Sequence, residues 1–244
     1  MKRSFLSFKT TLALVSGLLL ATVLLTACSK FDDSDNGNTP VAGLMAFNLA
    51  PDAQGIGITL SNNHLVNSPL TYTNYTGIYQ RIYAGGRTVE SFDAASDSTL
   101  AGVDYTFEPD KYYSLFVVGE NGTYQNVIVN DRFDSLSGSA GKAYVRFINA
   151  IPDSTSPKVT ITAGGENITD VNATFTTVSD FIAATPGEMS IVVKNEGTIN
   201  TNRTIPVEQG KVYTILLIGS PAASDSSKAV QIKYVTNGSL NNEQ

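Results

Sequence analysis

The chain has 244 residues, 42% hydrophobic and 16% charged, enough for one large or two small domains and too apolar for a disordered chain. Its formal charge of −6 argues against a nucleic-acid partner, because neutralising phosphates takes clustered Lys and Arg. One Cys and one His exclude an intrachain disulfide framework, a multi-cysteine metal site and a paired-histidine zinc centre, so no metal and no cofactor is expected, and without Trp the commonest stacking platform for sugars is missing.

The first element is an export segment. Lys2, Arg3 and Lys9 precede the 14-residue apolar run from Leu12 to Leu25, a length that suits a secretory h-region and falls short of a bilayer-spanning helix. The run closes on Leu25-Thr26-Ala27-Cys28, which resembles the lipobox of bacterial lipoproteins. That resemblance implies removal of residues 1–27, a diacylglycerol on the Cys28 thiol and three acyl chains in all, where two already hold a protein stably on a membrane. The signal holds 3 of the 16 basic residues and none of the 22 acidic ones, so the mature chain would carry −9.

Residues 28–41 read as a lipidated acidic tether, with Asp32, Asp33 and Asp35 among small polar residues and Pro40 at its end. Asp32, Ser34, Asn36 and Gly37 fall at EF-hand positions 1, 3, 5 and 6, yet position 12 is Gly43 where a Glu is needed, which returns the segment to solvated linker. The acidic run after Cys28 resembles a surface-export signal of one phylum of Gram-negative bacteria, implying an outer-membrane protein exposed at the cell surface, with a periplasm-facing one as the alternative.

Beyond the tether the sequence repeats at an offset near 100. Phe47 to Asp52 corresponds to Ile148 to Asp153, Tyr79 with Ala84-Gly85 to Phe181 with Pro186-Gly187, and Lys111 to Gly119 to Lys211 to Gly219. The small-residue stretch 135–141 separates the copies. Both are built of period-two runs rich in β-branched and aromatic residues. In the first these are Leu44–Phe47, Ile56–Leu60, Thr88–Phe92, Tyr113–Val118 and Tyr124–Val129. In the second they are residues 143–148, 159–162, 189–193, 204–207, 212–218 and 230–235, separated by Gly, Asn, Asp and Pro. The 212–218 run is apolar nearly throughout and predicts a central strand buried on both faces. The fold class that follows is all-β: two tandem antiparallel β-sandwich modules of Ig-like, Greek-key type, at 42–134 and 142–237, with a short tail at 238–244.

The repeated pieces have structural causes. Asn-x-x-Pro-Asp is turn chemistry, Gly85 and Gly187 each open a strand, and Lys-x-Tyr before a buried strand predicts a tyrosine corner whose hydroxyl bonds back to the backbone. These same elements, quoted as Ile148 to Asp153, Phe181 to Gly187 and Gly210 to Gly219, resemble a bacterial domain family of unknown function, common in secreted proteins and lipoproteins and often in tandem. The first copy departs from it at Pro109-Asp110, where the second has Gln209-Gly210. The resemblance implies a β-sandwich outside the cytoplasm and supplies no activity.

No catalytic residue stands out. His64 lies in a polar stretch with no Gly-x-Ser-x-Gly anywhere to pair with it. Asp93, Asp97, Asp104, Glu108 and Asp110 cluster without singling out a pair for glycoside hydrolysis, which leaves a carboxylate hydrolase as a remote alternative. Tyr72, Tyr75, Tyr79 and Tyr83 crowd together near Arg81, so Tyr72, Tyr75 and Arg81 are the candidate patch for a polysaccharide or a surface protein. Asp97-Ser98-Thr99, Asp134-Ser135-Leu136 and Asp153-Ser154-Thr155 resemble O-glycosylation acceptors, making Ser98, Ser135 and Ser154 candidate modified residues. The leading expectation is a non-catalytic structural or adhesive envelope lipoprotein, held to the membrane by the lipid on Cys28, with a binding accessory of nutrient uptake as the alternative.

Overall fold

A computed structural model describes residues 39–136, 141–153 and 155–240. The export segment, Cys28, most of the tether and Ser154 lie outside the described residues. The first copy comprises β1 (Val41–Asn48), β2 (Gly55–Leu60), β3 (Asn63–His64), β4 (Leu70–Thr71), β5 (Gln80–Tyr83), β6 (Gly85–Asp93), β7 (Thr99–Phe107), β8 (Tyr112–Glu120) and β9 (Thr123–Asn130). The second comprises β10 (Ala143–Asn149), β11 (Lys158–Ala163), β12 (Glu166–Asn172), β13 (Ile182–Ala184), β14 (Gly187–Lys194), β15 (Asn200–Val207), β16 (Lys211–Ile218) and β17 (Gln231–Ser239). Among the described residues there is no α-helix.

Each copy is a two-sheet sandwich. In the first, the sheet β5-β1-β8-β9 packs on β3-β2-β6-β7; in the second, β13-β10-β16-β17 packs on β12-β11-β14-β15. Pairing is antiparallel except between β1 and β8 and between β10 and β16, which are parallel. The register confirms the repeat residue by residue: Leu44 lies opposite Gln80 and Tyr113, and Val145 opposite Ile182 and Tyr213.

Alternation decides which strands face water. β2, β11 and β14 bury every second residue and present the others to solvent. By contrast β8, β10 and β16 are buried almost without a break, because each has its own sandwich core on one face and the other copy on the opposite face. Three apolar cores result. One lies inside the first sandwich around Leu44, Ile58, Val89 and Phe107, and one inside the second around Phe147, Ile161, Ile191 and Ile215. The third joins the copies: Met45, Phe47, Phe116 and Val118 meet Ile148, Leu216, Ile218 and Val235. The sheets therefore stack four deep, with the apolar outer faces of the two middle sheets against each other.

Equivalent residues meet across this joint. Ser220 Oγ donates to Glu120 Oε1 at 3.1 Å, and Ser114 and Thr214 both receive bonds from Arg146. The two copies are thus related by an approximate two-fold axis running along β8 and β16, and both copies begin at the same end of the stack.

The repeated motifs close turns. Asn48 donates to the Ala53 and Leu70 carbonyls and accepts from the Ala50 N–H, while Asn149 donates to Ala173 and accepts from Ile151. Gly119 and Gly219 sit at φ +113° and +100°, and a Cβ on either would stand 2.1 or 2.2 Å from a backbone carbonyl oxygen, so nothing larger fits. Asp110, where the second copy has Gly210, adopts the same left-handed conformation (φ +59° against +71°), so the departure at Pro109-Asp110 preserves the turn.

The tyrosine corners are present in both copies. The hydroxyl of Tyr113 accepts the Glu108 N–H at 2.9 Å, and that of Tyr213 accepts the Glu208 N–H at 3.0 Å. Tyr213→Phe keeps the ring and strands that N–H, and is expected to cost about 1–2 kcal/mol in chemical denaturation; Tyr113→Phe should cost the same. A change of a few tenths would mean the hydroxyls are ornamental.

Candidate functional site

The densest arrangement of polar chemistry lies in the third core, at the joint. Arg146 stands in the second copy where the first has Met45, and its side chain is 2% exposed. Its Nη1 donates to Asp131 Oδ1 at 2.6 Å, its Nη2 to Ser114 Oγ at 2.7 Å and its Nε to Thr214 Oγ1 at 3.0 Å. The guanidinium also lies over the Phe181 ring, 4.4 Å from its centroid. Asp131 further accepts from Ser114 Oγ at 2.9 Å and from the Tyr79 hydroxyl. Asn237 closes the circuit, donating to Tyr79 at 3.1 Å and accepting from Thr214 at 2.6 Å. Ser114, Asp131 and Tyr79 belong to the first copy and Arg146, Thr214 and Asn237 to the second, so the network crosses the joint.

Its chemistry is that of a latch. Each of the three guanidinium nitrogens has an acceptor, and one of the three is a carboxylate, which makes a buried charge tolerable. Burial, then the Asp131 carboxylate beside it, pushes the Tyr79 hydroxyl pKa well above the ordinary tyrosine range. A cavity of about 270 Å³ opens beside Arg146 and Asp131, bounded by Asn130, Arg132, Ser179 and Phe181.

The sequence-predicted residues are scattered by comparison. Tyr75 stacks face to face on Phe47, centroids 5.3 Å apart, and Tyr72 packs against the same third core with its hydroxyl buried and unpartnered. Burial, and Glu120 after it, pushes the Tyr72 pKa up to about 12. The Tyr75 ring therefore spends a face inside the joint, where a surface platform would need it free, whereas Arg81 stands exposed on edge strand β5 opposite Gly43. Ser98 is exposed and shares a hydrogen bond with Ser96, and Ser135 lies in a short 3-10 turn, its hydroxyl donating to the Arg132 carbonyl.

His64 pairs in register with Thr59 at a sheet edge, 5.8 Å from the Phe92 ring. The acidic residues do local work: Asp93 caps the turn at Ala95 and Ser96, Asp104 accepts from Thr88, and Asp52 accepts the Asn121 N–H. Among the described residues no group of three or more His, Cys, Asp or Glu is placed to hold a metal ion. Sequence reasoning missed Arg146, Ser114 and Asp131. The one available signal was the mismatch of Arg146 with Met45 inside an otherwise apolar strand.

Arg146→Met leaves Asp131 buried without its cation and should destabilise the protein by about 3–5 kcal/mol, while adding Asp131→Asn in the same chain should recover part of that loss. Equal losses in the single and double variants would show that the pair is not coupled. The tyrosines predict an alkaline limit. In the unfolded chain both hydroxyls ionise near pH about 10, and in the folded chain only above that, so their contribution is whole below pH about 10 and is lost as pH rises toward the folded values. The urea midpoint should accordingly fall between pH about 10 and 12, and fall less in Tyr72→Phe.

No curated protein matches the chain. A family model described as a domain of unknown function, DUF4397, matches residues 42–156 and again residues 143–241, once over each copy. The protein belongs to the DUF4397 family, carrying two copies of its domain paired face to face.

Proposed function

We propose that the protein is a lipid-anchored envelope protein of a Gram-negative bacterium, and that its paired body is a non-catalytic structural, adhesive or interaction module at the outer membrane. The observation that carries this reading is Leu25-Thr26-Ala27-Cys28 at the end of a 14-residue apolar run behind a basic start. The body is consistent with it. Its most elaborate constellation, Arg146 with Asp131, is directed inward at the joint, and Asp52, Asp93 and Asp225 accept backbone N–H groups of turns and hairpins. The outer sheets present polar side chains, as in Thr160 bonded to Asp170 and Thr162 bonded to Asn167.

Cys28→Ala is the test. Expressed in a Gram-negative host, the parent should sediment with membranes and incorporate labelled fatty acid, and the variant should do neither. A variant that stays on the membrane without the label would defeat the anchor.

A further inference from the structure

Four large apolar side chains are exposed among the described residues: Ile78, Tyr83, Tyr112 and Val171. Two of them flank the start of β1. Tyr83, 63% exposed, lies directly opposite Val41, and Tyr112, 46% exposed, directly opposite Gly43. Gly43 is what lets the second ring lie down, since a Cβ there would stand 2.6 Å from Tyr112 Cδ1. Arg81, exposed and also opposite Gly43, joins Tyr112, Lys111 and Asp110 around a shallow concavity of about 300 Å³, and Arg87 Nε reaches the Tyr83 carbonyl at 3.4 Å. The chain enters the body at this spot, where the Pro40 carbonyl accepts the Ala84 N–H at 2.9 Å. Cys28 lies eleven residues before Thr39, a span of at most about 40 Å when fully extended.

We propose that this end of the body, through Tyr83, Tyr112 and Arg81, rests in the headgroup region of the bilayer that holds the chain. The inference builds on the lipid anchor proposed above. Tyrosine suits such a surface because its ring is apolar and its hydroxyl wet, and arginine can extend its charge to phosphate while its stem stays with the rings. The mixed rim names the lipid. Lys111 is paired with Asp134 and Asp110 lines the same concavity, so the surface offers both signs and matches zwitterionic headgroups, which carry a phosphate and an ammonium, better than a uniformly anionic face. An anchored body with this footing has one end toward the membrane and the far turns toward solvent.

The acylated full chain, reconstituted in phosphatidylethanolamine–phosphatidylcholine vesicles, tests this with nitroxides at Tyr83→Cys, Tyr112→Cys and, as the control, Val171→Cys on β12. Vesicle flotation reports the anchor separately, and circular dichroism reports the fold of each variant. The expected result is that labels at 83 and 112 collide severalfold more with oxygen dissolved in the lipid, and severalfold less with an aqueous nickel chelate, than the label at 171. Labels at 83 and 112 as water-accessible as the one at 171, on protein that still floats with the vesicles, would overturn the footing and leave the anchor standing. Protein that does not float would overturn both. Because the Tyr112 ring also touches Tyr79 and Phe133, position 83, which packs on neither, decides if the 112 variant misfolds.

Discussion

A guanidinium almost fully out of water needs acceptors for its N–H groups, and in this protein two of the three, the carboxylate among them, come from a different copy of the same domain. Arg146 belongs to the second sandwich, and the carboxylate and one of the hydroxyls that satisfy it belong to the first. Neither sandwich can keep its middle sheet as it is without the other. Apart from the second copy, the first would expose Phe47, Phe116 and Val118 and leave Asp131 facing water. The second, alone, would expose Leu216 and Ile218 and leave Arg146 without its anion. The ion pair also sets which faces can meet. Two copies of the first face would bring two Asp131 carboxylates together, and two of the second would bring together two guanidinium groups, so the apolar patches favour contact and the charges choose the partner.

Much of this architecture is written in local pattern. The strands of the two sandwiches follow from alternation, and the turns follow from Asn, Asp, Pro and Gly at repeated places, because those choices are made by the backbone within a few residues. The strands that escape notice are β3, β4, β5, β7, β12 and β13, the first two only two residues long. Strand β12 is mostly exposed, and three residues of β13 carry too little alternation to register. The unbroken apolar run 212–218 signals burial on both faces. It does not say that the second cover is another copy of the domain, since periodicity reports how much of a strand is hidden and not by what.

The polar network was less legible for a related reason. Ser114, Asp131 and Arg146 are unremarkable one at a time, and only the fold brings residues 32 positions apart within 2.7 Å. The crowding of Tyr72, Tyr75 and Tyr79 was visible, yet a tyrosine cluster reads alike whether its rings face solvent or a neighbouring sheet. Phe47 under Tyr75 and the Asp131 carboxylate beneath Tyr79 decide between the two. Two other tyrosines, at 83 and 112, are the ones left outside.

The two-fold axis along β8 and β16 has a numerical consequence. Each copy owns one apolar outer face, and pairing consumes both, so two is a closed count. A third copy added in series would meet outer sheets that carry polar pairs such as Thr160 with Asp170, and its own Phe- and Leu-rich face would lack a matching apolar face. In this chain the pair, rather than the single sandwich, is therefore the unit in which both apolar outer faces are covered.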